Sequence, residues 1–264
     1  MDSTTHLDFG IASGNSKPLL SIVIPVFNEE DRLEPCIREI LAFYGRNGIA
    51  GEVLIVDDGS TDATVALSDQ LASRFENVRA FEEAHRGKAR AVISGLRHAS
   101  GTFVGFCDVD LATPLDTWFA CHEALSLGAD VAIASREGSG AARIGEPWYR
   151  HAMGRVFNGL TRALLLPGIH DTQCGFKFFT REAIDTILPR CQLYAGCGVV
   201  TRPRVTAFDV ELLYIARRQG MRIAVIPVTW TYGAHSKINP VTDTLQNLRD
   251  VLVVRWYGWR GRYR

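Results

Sequence analysis

Apolar residues recur along this chain with two periods that alternate. Residues 19–26 form an apolar, β-branched run, the pattern of a strand buried on both faces, and the run ends in Phe27-Asn28-Glu29-Glu30. From 30 to 44 the spacing changes: Leu33, Ile37, Ile40 and Leu41 recur at helical intervals and predict an amphipathic helix. A second buried strand over 53–56 stops at Asp57-Asp58-Gly59-Ser60-Thr61-Asp62. The unit then repeats, with helices expected over 62–74 and 88–98 and strands near 78–81 and over 103–107, the last ending in Asp108-Val109-Asp110. A strand over 131–135, helices over 148–166 and 208–219, a strand over 222–228 and an amphipathic stretch from about 241 complete the series. Strands alternating with helices imply an α/β fold, a single Rossmann-like, mostly parallel sheet flanked by helices. No internal repeat or low-complexity linker interrupts it. The expected organisation is a flexible tail over 1–17, one domain over 18–240, and a C-terminal amphipathic, basic-aromatic segment over 241–264.

In sheets of this kind the ligand sits at the carboxyl ends of the strands. Asn28-Glu29, Asp57-Asp58 and Asp108/Asp110 all follow strands, so they are expected to meet in one cleft. Asp108 and Asp110 stand two apart on an extended segment, and paired carboxylates suit Mg²⁺ or Mn²⁺, which is commonly completed by substrate phosphates. A solvated acidic turn would look the same in isolation. At Asp57-Asp58-Gly59-Ser60 two readings stand together: a helix cap, and carboxylates that accept from a nucleoside. Neither GxxxxGK[ST] nor GxGxxG follows the first strand, which argues against a P-loop or a dinucleotide site. His85-Arg86-Gly87-Lys88 precedes a helix, where a flexible glycine and cations would favour an anion, although taken alone the segment reads as a solvated basic loop. Arg136, Arg143, Arg150 and Arg155, with Lys177, Lys237 and the Arg202/Arg204 pair, supply further donors for phosphate, and Arg is suited to bidentate contacts.

Composition narrows the field. In 264 residues, 29 Lys and Arg balance 29 Asp and Glu, so no global field draws in nucleic acid. Six cysteines at 36, 107, 121, 174, 191 and 197 show neither CxxC nor metal-ligand spacing, the pattern of reduced thiols and a cytoplasmic protein. No apolar run approaches the roughly 18 residues of a membrane-spanning helix.

Taken in order, SIVIPVFNEE, VLIVDDGSTDAT, RGKARAV, FCDVDLATP, HDTQCGFKFFTR, AFDVELLYIARRQG and the late Ser236-Lys237 resemble the inverting family 2 glycosyltransferases of GT-A fold. The likeness covers residues 19–240 or so and is nearest the dolichyl-phosphate glucosyltransferase and mannosyltransferase branch, the glucosyltransferases in particular. DTQCGFK followed by FDVELL is the narrower part of the signal. The resemblance implies that Pro25, Asn28, Glu29, Asp57, Asp58, Ser60 and Lys88 bind the donor, with Asp108 and Asp110 as the metal and donor residues. It places Asp171, Gln173 and Lys177 at the reacting centre, with Asp110, Asp171 and Lys177 as catalytic residues, and Arg136, Gln173, Ser236 and Lys237 near acceptor or phosphate. The chain departs from the pattern at Ala89, where glycine is common after the lysine, and at His235, where glycine usually precedes Ser-Lys.

The expected reaction is transfer of a hexose, glucose first, from a nucleoside-diphosphate sugar to a polyprenyl phosphate, with UDP-glucose ahead of GDP-mannose as donor and Mg²⁺ or Mn²⁺ as cofactor. A lipid phosphate is already an oxyanion and needs positioning more than activation. A hydroxyl acceptor would need a base, for which Asp209 and Asp171 are the candidates. Two further readings remain, a soluble acceptor for the same donor and a non-catalytic nucleotide-binding protein. Residues 255–264 interleave Arg with Trp and Tyr, which suits either a bilayer surface on the cytoplasmic face or a tail packed on the domain.

Overall fold

The computed structural model describes residues 17–196, 198, 207–232 and 245–264 with their side chains, and the backbone alone of 240–244. The expected tail apart from Lys17, the Arg202/Arg204 pair, His235, Ser236 and Lys237 lie outside the described residues.

The first half follows the predicted alternation closely. In order come β1 (Leu20–Val26), α1 (Glu30–Asn47), β2 (Gly51–Asp57), α2 (Thr64–Arg74), β3 (Val78–Glu82), α3 (Lys88–His98) and β4 (Phe103–Cys107). Then come α4 (Thr117–Ser126), β5 (Val131–Ser135), β6 (Ala142–Ile144), α5 (Trp148–Leu164), β7 (Phe176–Thr180) and α6 (Arg181–Ile187). The chain ends with α7 (Phe208–Arg218), β8 (Ile223–Pro227), β9 (Thr229–Thr231) and α8 (Pro240–Trp259). Seven strands make one sheet in the order β3-β2-β1-β4-β7-β5-β8, and β6 pairs with β9 in a small second sheet.

Strand β7 is antiparallel to both its neighbours, β4 and β5, in an otherwise parallel sheet. The apolar pattern hides this strand because Lys177, its second residue, interrupts it, yet that lysine is wholly buried. Strand β1 explains the two-faced core: Ile22, Ile24 and Val26 face a cluster with Ile37, Ile40 and Trp118, while Val23 faces another with Leu96, Phe106 and Leu213. Alternation on a strand covered on both sides produces this split.

The C-terminal segment is less separate than its composition suggests. Val251, Val254 and Tyr263 join the same core as α7, and the Tyr263 hydroxyl donates to the buried Glu211 carboxylate at 2.8 Å. Among the described residues, no helix is long and apolar enough to cross a membrane.

Candidate active site

The sheet order places a switch at its centre. Strand β1 has β2 on one side and β4 on the other, so the chain leaves their carboxyl ends in opposite directions and opens a crevice there. Pro25 lies in β1 in register with Val56, beyond the stretch of β1 that pairs with β4, where its missing N–H breaks no ladder on that side. Asn28, Glu29, Asp57, Asp58, Asp108 and Asp110 all lie at this end of the sheet.

The loops after β1 and β2 are locked to one another. Asn28, at φ 54°, donates its backbone N–H to Ser60 Oγ at 2.8 Å, and its own side chain accepts from Thr61 N at 2.8 Å. The buried Asp57 carboxylate accepts from Ser60 N at 2.8 Å and from the Ser60 hydroxyl. Glu29 N donates to Thr64 Oγ1 at 2.8 Å, and the Glu29 carboxylate holds Arg32.

Asp58 reaches across to the loop that precedes α3. Its carboxylate accepts from Arg86 N at 2.8 Å and Gly87 N at 2.9 Å, and faces His85 Nδ1 at 2.8 Å. That nitrogen also lies 2.9 Å from the Asp58 carbonyl, so two acceptors fix the proton on Nδ1. Burial pushes the Asp58 carboxyl up, and hydrogen bonds from Arg86 and His85 only partly offset it. The His85 ring in turn stacks on Phe27 with centroids 4.1 Å apart. Asp57 and Asp58 therefore build the wall of the crevice with their side-chain oxygens already engaged. His85 is a part of this wall that the sequence offered only as one member of a basic loop.

Lys88, the first residue of α3, donates to Asp108 Oδ1. Gly87 supplies the turn into that helix with φ 92°, a conformation that favours glycine. Asp110 lies beside a backbone kink at Leu111 (φ 47°) and accepts from Ala112 N at 3.1 Å. Partial burial, and then the neighbouring charge of Asp108, raise the Asp110 carboxyl above its ordinary value. The antiparallel β7 brings Gly175 against the pair: a Cβ there would stand 2.1 Å from Asp108 Oδ2. The pocket at this point is lined by Asp108, Asp110, Leu111, Thr113, Gly175, Phe176 and Trp230. Gly175 and Trp230 were not among the expected site residues. Only the motif around Gly175 carried a signal, and a lone tryptophan in a short strand carries none.

The residues expected at the reacting centre are placed differently from one another. Asp171 is fully buried and binds Arg136 bidentately, Nε to Oδ2 at 2.8 Å and Nη2 to Oδ1 at 2.9 Å. It also accepts from Arg136 N at 2.9 Å and Gln173 N at 3.2 Å. Burial alone would raise this carboxyl, but the charge and hydrogen bonds of Arg136 hold it well below the carboxylate range. Both oxygens of this carboxylate are thus engaged, and they hold the Arg136 guanidinium in place.

Lys177 is also fully buried, with Nζ 2.8 Å from Asp209 and 2.5 Å from the Cys174 carbonyl it donates to. It braces the segment that carries Gly175 and, as placed, does not face the pocket. Asp209, pushed up by burial and held back by Lys177 and Lys88, is the other half of that brace. Arg136 stacks 5.2 Å from the Trp230 ring, at the edge of the pocket. Arg143 is tied to Glu137 and Glu146, and Arg150 to the Tyr232 hydroxyl.

The donor set fits a hard divalent cation. Asp108 and Asp110 line one pocket, the Asp110 carboxyl is raised by burial and then by the charge of Asp108, and among the described residues no third His, Cys, Asp or Glu closes a cage. Such a set leaves coordination positions for phosphate oxygens and water, as Mg²⁺ sites usually do.

Comparison with known proteins identifies the family. Residues 21–188 match the family model "Glycosyl transferase family 2". The dolichyl-phosphate beta-glucosyltransferase of Drosophila melanogaster is 32% identical over 252 residues, spanning 89% of this chain and 74% of that protein. The human protein of the same name is 32% identical over 264 residues, spanning 93% and 77%. Among solved structures, glucosyl-3-phosphoglycerate synthase from Mycobacterium tuberculosis, in complex with Mn²⁺, uridine-diphosphate and glucosyl-3-phosphoglycerate, superposes with a TM-score of 0.60 at 19% identity, over 90% of this chain and 80% of the other. On a family model that spans more than half of its length the chain belongs to glycosyl transferase family 2, and on its superposition with solved glycosyltransferases it has the GT-A fold.

Proposed function

We propose that this glycosyltransferase moves glucose from UDP-glucose to a polyprenyl phosphate at the cytoplasmic face of a membrane, with inversion at the sugar carbon. The carrying observation is that Asp108, bound by Lys88, and Asp110 line one pocket at the switch-point crevice, walled by the locked loops after β1 and β2. The acceptor class is taken from relatives named dolichyl-phosphate beta-glucosyltransferase that align with about nine-tenths of the chain.

In this reading the nucleoside lies along the wall formed by Asn28, Ser60, Asp57, Asp58 and His85. Asp108 and Asp110 would hold Mg²⁺ or Mn²⁺, which neutralises charge on the departing diphosphate. Lys88 adds a fixed cation beside Asp108, and Arg136, kept in place by Asp171, offers its outer face toward the acceptor phosphate. The remaining expected phosphate ligands, Gln173, Ser236 and Lys237, would complete that side. Because a phosphate monoester is already anionic near neutral pH, positioning replaces general-base activation. The engaged state of Asp171 is consistent with a reaction that needs no base from that residue.

A soluble phosphorylated or hydroxyl acceptor for the same donor is the competing reading. Incubation of radiolabelled UDP-glucose with dolichyl or undecaprenyl phosphate, and separately with small phosphorylated acceptors, decides between them. Label in the chloroform-extractable fraction supports the lipid acceptor. Turnover confined to water-soluble acceptors rejects it.

A further inference from the structure

Helix α5 turns an apolar face to solvent. Successive residues step about 100° around a helix, so Trp148, Ala152, Val156, Leu160, Ala163 and Leu164 share one side, and all six are exposed, Trp148 by 81% and Val156 by 65%. The opposite side, with Phe157, Asn158 and Thr161, is buried. None of the 17 residues of α5 is acidic, and the exposed Arg155 and Arg162 border the apolar stripe on one side.

Helix α8 packs against α5 and repeats the arrangement. Leu245, Leu252, Trp256 and Trp259 are exposed on one face, Trp259 by 79%, with the exposed Arg249 and Arg255 at its two edges. Its Asp250 is buried on the far side against Tyr194.

We propose that the paired faces of α5 and α8 dock on an anionic lipid bilayer, lying in its interface with the apolar stripes below the headgroups and the arginines among them. Interfacial helices of this kind bury a face about 5–10 Å into the headgroup boundary. Charge selects the occupant. A second copy meeting this surface by twofold symmetry would bring Arg155, Arg162, Arg249 and Arg255 of both copies together, with no acid in α5 and none among the described outward side chains of α8, whereas anionic lipid supplies the missing charge. Tyr263 and Val254 remain core residues, so the aromatic-basic C-terminus contributes only its outward Trp and Arg side chains.

The surface is also well placed for a lipid substrate. Asn158, on the buried side of α5, accepts from Thr172 N at 3.4 Å, next to the Asp171 that holds Arg136. One helix, about 10 Å across, thus separates the docked face from the segment that positions the phosphate-facing arginine. Docking itself rests on the helix faces and not on the acceptor assigned above.

Flotation of the whole protein with vesicles of phosphatidylcholine, alone or with phosphatidylglycerol, and with no donor or polyprenyl phosphate present, tests the proposal. We expect flotation with the anionic vesicles and its loss at high salt. Val156→Asp and Trp259→Asp should each lower binding roughly tenfold or more, and Arg155→Glu should lower it on anionic vesicles alone, all with unchanged melting temperatures. Wild-type protein that stays at the bottom of the gradient overturns the proposal, as does Val156→Asp protein that floats like wild type. A dimer in solution that Val156→Asp dissociates, without any flotation, overturns it in favour of a second copy.

Discussion

At the scale of single residues, the site works by close approach and fixed charge. Gly175 has no room for a side chain, since a Cβ would stand 2.1 Å from Asp108 Oδ2, and the strands on either side are held in register. Gly175→Ala is therefore expected to displace the Asp108 carboxylate and cut kcat/KM by roughly a hundredfold, while circular dichroism and the cooperative melt remain those of a folded protein. Asp171 makes the opposite kind of contribution, to stability. Replacing it with Asn leaves Arg136 without its charge partner in a mostly buried place, a loss of about 3–5 kcal/mol by precedent for broken buried pairs. The sign of its pH dependence follows from the depressed carboxyl. The stabilisation is complete above the ordinary aspartate pKa of about 3.9, and it is lost progressively as pH falls below that value toward the lower folded one. Urea titrations across the acid range should show this slope in wild type and a shallower one in Asp171→Asn.

At the scale of elements, what matters is how loops after different strands are tied together. Asp58 holds the turn into α3 through the Arg86 and Gly87 N–H groups and His85, and so sets where Lys88 begins its helix. Asp58→Ala leaves those donors short of an acceptor, and about 2 kcal/mol of stability should go with it. The KM for the nucleotide sugar should rise more than kcat falls, which steady-state kinetics would show. Much of this frame was legible in the chain. Strands β1, β2 and β4 are apolar runs that end abruptly in polar residues, and the spacing of Leu33, Ile37 and Ile40 in α1 gives its buried side. Strand β7 was not legible, because its Lys177 is neutralised by Asp209, 32 residues later, and no local pattern announces such a partner. The same limit explains Asp171. Its position in a recognisable motif indicated the site, but only the fold shows that Arg136, 35 residues earlier, occupies both of its oxygens. The outward apolar face of α5 was hidden for a related reason: helical spacing finds an apolar side but does not say which side meets the core.

At the scale of the whole molecule, the order β3-β2-β1-β4 opens the crevice, and the antiparallel β7 closes its floor by carrying Gly175 to the acidic pair. The second half of the chain contributes the side proposed for the acceptor: Arg136 after β5, its partner Asp171 before β7, and α5 packed behind them. In the proposed reading, donor and acceptor approach from opposite halves of one sheet. The claim on which this picture depends is that Asp108 and Asp110 serve one metal-dependent donor site. The most direct test compares Mn²⁺-dependent transfer of label from UDP-glucose to dolichyl phosphate by wild type and by Asp110→Asn, with thermal melts to confirm folding. A fall in kcat of roughly 10²–10³, the scale seen when one preorganised charge-stabilising group is lost, is the predicted result; transfer by Asp110→Asn at the wild-type rate would contradict the account.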